Sequence, residues 1–112
     1  MATWRIVSWN VNGLRSCEKK GFLDWLHEEK HTVVGLQEVR AQVHELSPAL
    51  VTPKGYSTHI ISGKKKGYSG VGTYSREAPL SVDKELGKSR FDDEARMLGT
   101  EYPEFLVYNV YF

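Results

Sequence analysis

Asn10 and Asn12 follow directly on an apolar stretch, Trp4 to Trp9, and Glu38 follows on another, Val33 to Leu36. If the two stretches are neighbouring strands, Asn10 and Glu38 share one rim of the sheet. Strand ends in a buried sheet are natural places for functional loops. One carboxylate beside an amide oxygen suits a hard cation such as Mg²⁺. That ion keeps several waters and takes only one or two carboxylates, leaving room for a substrate phosphate. The same residues have a simpler reading, in which Asn10 and Asn12 make an Asx turn and Glu38 pairs with Arg40. Spacing leaves both open.

A second group lies in KKKGYSGVG, residues 64–72. It combines cations that can neutralise phosphates, an aromatic ring at Tyr68, and glycines such as Gly67 that allow close approach. A solvated hairpin turn whose lysines guard a sheet edge would look the same. Arg15, Lys19 and Lys20 form a smaller basic group near the start of a helix, where cations oppose the helix dipole and an anion would be welcome. The four histidines, His27, His31, His44 and His59, fall in no metal-ligand spacing. Cys17 is the one cysteine, has no evident activating base, and excludes both an internal disulfide and a cysteine zinc cluster. Neither a Walker loop nor GxGxxG occurs.

The elements that must position these groups follow from hydrophobic periodicity. A strand is expected over 4–9, a loop over 10–15, and a helix over about 19–30 with Phe22, Leu23, Trp25 and Leu26 on one stripe. A second buried strand runs over 33–36 and ends at Gln37-Glu38. Strand, helix, strand in this length is a βαβ-sized unit, which suggests parallel pairing. A helical turn over 43–47 should stop at Pro48. Strands over 56–62 and 71–75 form a hairpin around the Lys-rich turn. Residues 78–87 read as strand or loop, 90–96 as a charged loop, and 97–102 with 105–112 as a last hairpin. Strands that alternate with helices early and pair as hairpins late point to an α/β fold with a mixed sheet.

The chain has 112 residues with 15 Lys+Arg against 14 Asp+Glu, a net charge of +1. That is the size of one domain, or part of one, and contact with nucleic acid would have to go through local patches. No signal segment or membrane-length apolar run occurs, so no membrane partner and a cytoplasmic, intracellular location are expected. The closing strand, FLVYNVYF, is apolar on both faces: Phe105, Val107, Asn109 and Tyr111 on one, Leu106, Tyr108, Val110 and Phe112 on the other. Both faces call for cover. A chain that stops inside such a strand is expected to be part of a longer one.

Taken together, WNVNGLR at 9–15, KKGFLDWL at 19–26, LQEVRA at 36–41, KKGYSGVGTYS at 65–75, FDDEAR at 91–96 and NVYF at 109–112 resemble the exonuclease III family of AP endonucleases, in the endonuclease/exonuclease/phosphatase superfamily. The resemblance covers nearly the whole chain, in order. It implies a Mg²⁺-dependent phosphodiester hydrolase, with Mn²⁺ as a possible substitute, acting on duplex DNA at abasic sites and 3′ ends. Glu38 matches the family's metal-binding glutamate, Asn10 the asparagine beside it, and Asn12 a position supporting the metal shell. Tyr111 matches the tyrosine at the scissile phosphate and Arg96 an arginine that binds backbone phosphate. Arg15, Lys20, Gly67 and Tyr68 match positions lining the DNA.

The resemblance also implies a four-layer α/β sandwich, of which residues 1–112 would be the N-terminal half of a single domain: one mixed sheet, helices on one face, an apolar inner face open. The C-terminal half, needed for the complete site, would supply the groups that activate the attacking water, so the 112 residues alone are expected to be inactive. Ala95 stands where the family usually has glycine, and His31-Thr32 where it usually has Pro-Asp. A lipid or inositol phosphate hydrolase of the same superfamily and a noncatalytic DNA-binding module are the alternatives.

Overall fold

The structure is a computed structural model, and residues 3–84, 87 and 92–112 are described. Phe91 of the 91–96 motif, positions 85 and 86 of the expected 78–87 segment, and position 90 of the expected 90–96 loop lie outside the described residues. The elements run β1 (Ile6–Asn10), α1 (Leu14–Lys19), α2 (Phe22–Glu29), β2 (Val33–Gln37), a 3-10 turn (Val43–Glu45), α3 (Pro48–Val51), β3 (Ser57–Ile61), β4 (Val71–Ser75), β5 (Ser81–Asp83), β6 (Met97–Glu101) and β7 (Leu106–Val110). The fold class is α/β, as the sequence suggested. None of the described helices is long and apolar enough to cross a membrane.

The strands divide between two sheets, one ordered β1-β2-β4-β3 and the other β5-β6-β7. β1 and β2 are parallel, Ile6 opposite Val33 and Asn10 opposite Gln37, which confirms the βαβ unit. β4 runs antiparallel to both β2 and β3. The expectation of a single mixed sheet is therefore corrected. The reason lies in β2 and β4. Nearly every residue of β2 and all of β4 are buried, so the sheet needs cover on both faces. The helices cover the face carrying Val34, Leu36 and Tyr74, with Leu14, Phe22, Leu26 and Leu50 completing that core. The second sheet closes on the other face, where Val33, Gly35 and Gln37 lie opposite Ser75, Thr73 and Val71. Asn109 of β7 reaches across to Gly72 and Leu36, and the Tyr102 hydroxyl donates to Ser75 Oγ at 2.9 Å.

Two helical boundaries differ from the periodicity reading. The segment 10–15 is not all loop, because α1 begins at Leu14, which is fully buried and anchors the first turn in the core. Gly21, at φ 101°, then separates α1 from α2. Pro48 does not stop a helix but starts α3, with the Ser47 hydroxyl accepting from Leu50 N. Proline is preorganised for the first helical position and has no N–H to lose there.

Candidate active-site rim

Beyond the ends of β1 and β2 the backbone ladder continues. Val11 N donates to Gln37 O at 3.1 Å, Gly13 N to Glu38 O at 2.8 Å and Leu14 N to Val39 O at 3.0 Å. From the other side Val39 N donates to Gly70 O and Arg40 N to Ser69 O. Glu38 is thus held between the Asn10–Gly13 loop and the 67–70 turn. Glu38, Arg40, Asn12 and Ser69 all have φ between 50° and 60°. Left-handed conformations in residues with a β-carbon cost of order 1–3 kcal/mol each and gather at functional sites. Asparagine tolerates this region, so Asn12 has a backbone reason for its identity.

The Tyr111 hydroxyl donates to Glu38 Oε1 at 2.6 Å, closing a separation of 73 residues. Arg40 Nη2 lies 3.4 Å from Glu38 Oε2. The Asn10 amide is near enough to the carboxylate to lower its titration. The Tyr111 hydroxyl is the largest influence and holds the Glu38 carboxyl below the usual carboxylate range; burial pushes it up next, and the Asn10 amide and Arg40 charge each lower it by less. The same bond raises the Tyr111 phenol above its ordinary value, with burial and the Glu38 charge adding to it. Both features of the simpler reading are also present, since Asn12 N donates to Asn10 Oδ1 at 3.0 Å and Arg40 sits beside Glu38. They do not exhaust the oxygens: a carboxylate offers about four lone-pair sites and an amide oxygen two.

Arg96 lies over the Tyr111 ring, 4.8 Å from its centroid, and bonds Glu94 at 2.6 Å. The Glu94 carboxylate holds the guanidinium charged more firmly than usual. Tyr68 is close enough to act electrostatically on Arg96 and Tyr111, and the Lys65 ammonium stands 5.2 Å from its ring. Arg15, Arg40 and Gly67 line a groove with Gly13, Lys19 and Ser47. Arg15 is not free there, as Glu45 lies 3.5 Å away. Lys20 caps the end of α1 and does not line the groove; Lys19 takes that place. The structure therefore gathers Asn10, Glu38, Tyr111, Arg96 and Tyr68 at one rim, with Arg15 and Gly67 beside them. Asn12 touches the group through its backbone N–H.

Sequence reasoning passed over Arg40, Gln37 and Asn109. Arg40 was considered only as the partner that would make Glu38 ordinary, yet it links the carboxylate to the groove. An amide inside FLVYNVYF carried a signal, since a buried polar group must find partners.

Residues 7–112 match the endonuclease/exonuclease/phosphatase family. The chain belongs to that family. It is 33% identical over 107 residues to the DNA-(apurinic or apyrimidinic site) endonuclease of Dictyostelium discoideum, covering 96% of this chain and 29% of that protein. It is 35% identical over 108 residues to the exodeoxyribonuclease of Bacillus subtilis, covering 96% of this chain and 42% of the relative. The fold superposes on an AP endonuclease from Archaeoglobus fulgidus with a TM-score of 0.79 and 28% identity, covering 97% of this chain and 41% of that one. The chain thus spans less than half the length of these relatives. Within the family match lie Asn10, Glu38, Arg96 and Tyr111, so the whole rim belongs to the shared portion.

Proposed function

We propose that this chain forms the metal-and-phosphate side of a DNA repair nuclease that hydrolyses phosphodiester bonds at abasic sites and 3′ ends of duplex DNA. The observation that carries the reading is the Tyr111–Glu38 contact beside Asn10. It joins a hydroxyl donor, an ionised carboxylate and an amide oxygen at one rim. The printed names of the relatives, an AP endonuclease and an exodeoxyribonuclease, support the substrate class.

The donor set fits a hard divalent cation. Glu38 and Asn10 Oδ1 are the residues that would hold it, with magnesium the first choice and manganese a substitute. When bound, such an ion supplies Lewis acidity toward a phosphoryl oxygen and charge stabilisation for the leaving alkoxide. The protein's own groups do the rest. Glu38 is an ionised carboxylate at neutral pH, and the hydrogen bond from Tyr111 lowers its titration further. The Tyr111 phenol stays protonated and can give its hydrogen bond to a non-bridging phosphate oxygen. Arg96, fixed by Glu94, holds charge next to that phenol. Arg15 and the Gly67-Tyr68 turn hold the duplex backbone without reading bases, as a lesion-directed enzyme requires.

The test is Glu38→Ala in a protein carrying the full length of the matched relatives, assayed on abasic duplex with Mg²⁺. Loss of incision by at least ~100-fold is expected, the scale on which single electrostatic stabilisers act. Unchanged incision would overturn the metal assignment. The 112 residues by themselves are expected to show negligible hydrolysis, and robust incision by them would contradict the proposed division of labour. Abasic-duplex binding that is indifferent to both Mg²⁺ and Glu38 would favour a noncatalytic DNA-binding module instead.

A further inference from the structure

Asn109 makes four hydrogen bonds from the second sheet to the first. It is 5% exposed. Its Nδ2 donates to Gly72 O at 2.9 Å, Leu36 O at 3.2 Å and Thr73 Oγ1 at 3.3 Å. Its Oδ1 accepts from Gln37 Nε2 at 2.7 Å. Gln37 Nε2 also lies 3.1 Å from Ser8 Oγ. One polar network therefore runs from β1 through β2 to β7, and Asn109 extends it to β4. Leu36 and Gly72 are register partners, so the amide grips two strands at one step of their ladder.

The members have a common relation to the rim. Ser8 stands two residues before Asn10, Gln37 one before Glu38, and Asn109 two before Tyr111. The strand period of two puts Ser8 on the face of Asn10, and Asn109 on that of Tyr111. Gly35 is part of the arrangement. A β-carbon there would stand 3.2 Å from Asn109 Cγ, so glycine is what lets the amide settle onto β2. A leucine at 109 would fill similar space but lose the four hydrogen bonds. What it would lack is direction: an amide with four partners permits one register, and a one-residue slip would turn Tyr111 to the wrong face. Tyr111 lies just past the end of β7, where its backbone N–H donates to Arg96 O, so its position depends on how that strand end is docked.

We propose that Asn109 is a positioning residue, the hub of a buried amide network with Gln37 and Ser8 that holds Tyr111 against Glu38. Its meaning for catalysis rests on the nuclease reading above, but the geometry can be tested without DNA or metal. The probe is the phenol titration of Tyr111, followed by NMR on the chain carrying ¹³Cζ-labelled tyrosine, with Tyr111→Phe used to assign the signal. In Asn109→Leu the Tyr111 phenol is expected to fall back toward an ordinary tyrosine value of about 10. The Glu38 carboxyl should rise toward its ordinary range in step. Leu50→Ala, a core substitution beneath the helices, is the control and should leave both titrations where they were. A folded Asn109→Leu protein with wild-type titrations of both groups would overturn the proposal. If Asn109→Leu does not fold, Gln37→Leu decides the matter. It removes the donor to Asn109 Oδ1 and leaves the three Nδ2 bonds in place. A lowered Tyr111 titration supports the network, and an unchanged one sinks it. Failure here leaves the nuclease proposal standing, and loss of that proposal leaves this one intact.

Discussion

At Glu38 the fold and the chemistry ask for the same protonation state. Its carboxyl titrates below the usual range because Tyr111 donates to it, so the stabilisation is full above the ordinary glutamate value and is lost as pH falls through the lowered one. Tyr111 behaves in the opposite sense. Its phenol is raised, so its share is present below the ordinary tyrosine value and lost as pH rises through the raised one. The pair is intact across the window between. Tyr111→Phe removes the largest cause, and the Glu38 titration, read from its carboxyl carbon by NMR, is expected to move up toward the ordinary range. Ala95 is the second residue with a local conflict. It is buried with φ 52°, a backbone that glycine adopts without strain. Ala95→Gly is expected to stabilise the chain by ~0.5–1 kcal/mol in urea unfolding and to relax the turn that leads to Arg96.

Among the elements, the α1–α2 corner shows how one backbone angle sets up a site. α1 has to leave the rim at Gly13 and α2 has to lay Phe22 and Leu26 into the core. Gly21, at φ 101°, makes the change of direction. No atom beyond its chain neighbours lies within 4 Å of where its β-carbon would be. The cost of Gly21→Ala is therefore purely backbone strain, and ~1–2 kcal/mol is expected by denaturant titration. Arg15 on α1 belongs to the same corner. It lines the groove while paired with Glu45, so its charge is partly committed already. If it meets a phosphate, Arg15→Ala in the longer protein should reduce the slope of log affinity against log salt by about one unit, with the loss spread evenly over DNA sequences.

For the whole molecule, the second sheet decides how much surface is left uncovered. Leu106 and Tyr108 point away from the first sheet and are each more than half exposed, and Phe112 is 98% exposed. Neighbouring apolar side chains on a sheet face favour association. Leu106→Lys with Tyr108→Lys is expected to reduce self-association of the 112-residue chain in light scattering. Its melting temperature should change by no more than a few degrees, since neither side chain enters the core.

Several things were decided by the sequence itself. Apolar runs 4–9 and 33–36 with one amphipathic helical stripe between them suggested a βαβ unit, and β1 and β2 do pair in parallel. Parallel neighbours end at the same edge of a sheet, which puts Asn10 and Glu38 on one rim. The alternation in 105–112 likewise assigned Asn109 and Tyr111 to one face. Other features needed the tertiary structure. Whether β7 joins the first sheet or closes over it is not written in periodicity, since either choice buries Val107 and Asn109. It depends on β2 and β4 being buried on both faces, which is a fact about neighbours. The Tyr111–Glu38 bond, the lowered carboxyl and the amide network beneath them all follow from that closure. They join residues far apart in the chain, and local pattern carries information only about residues that are close along it.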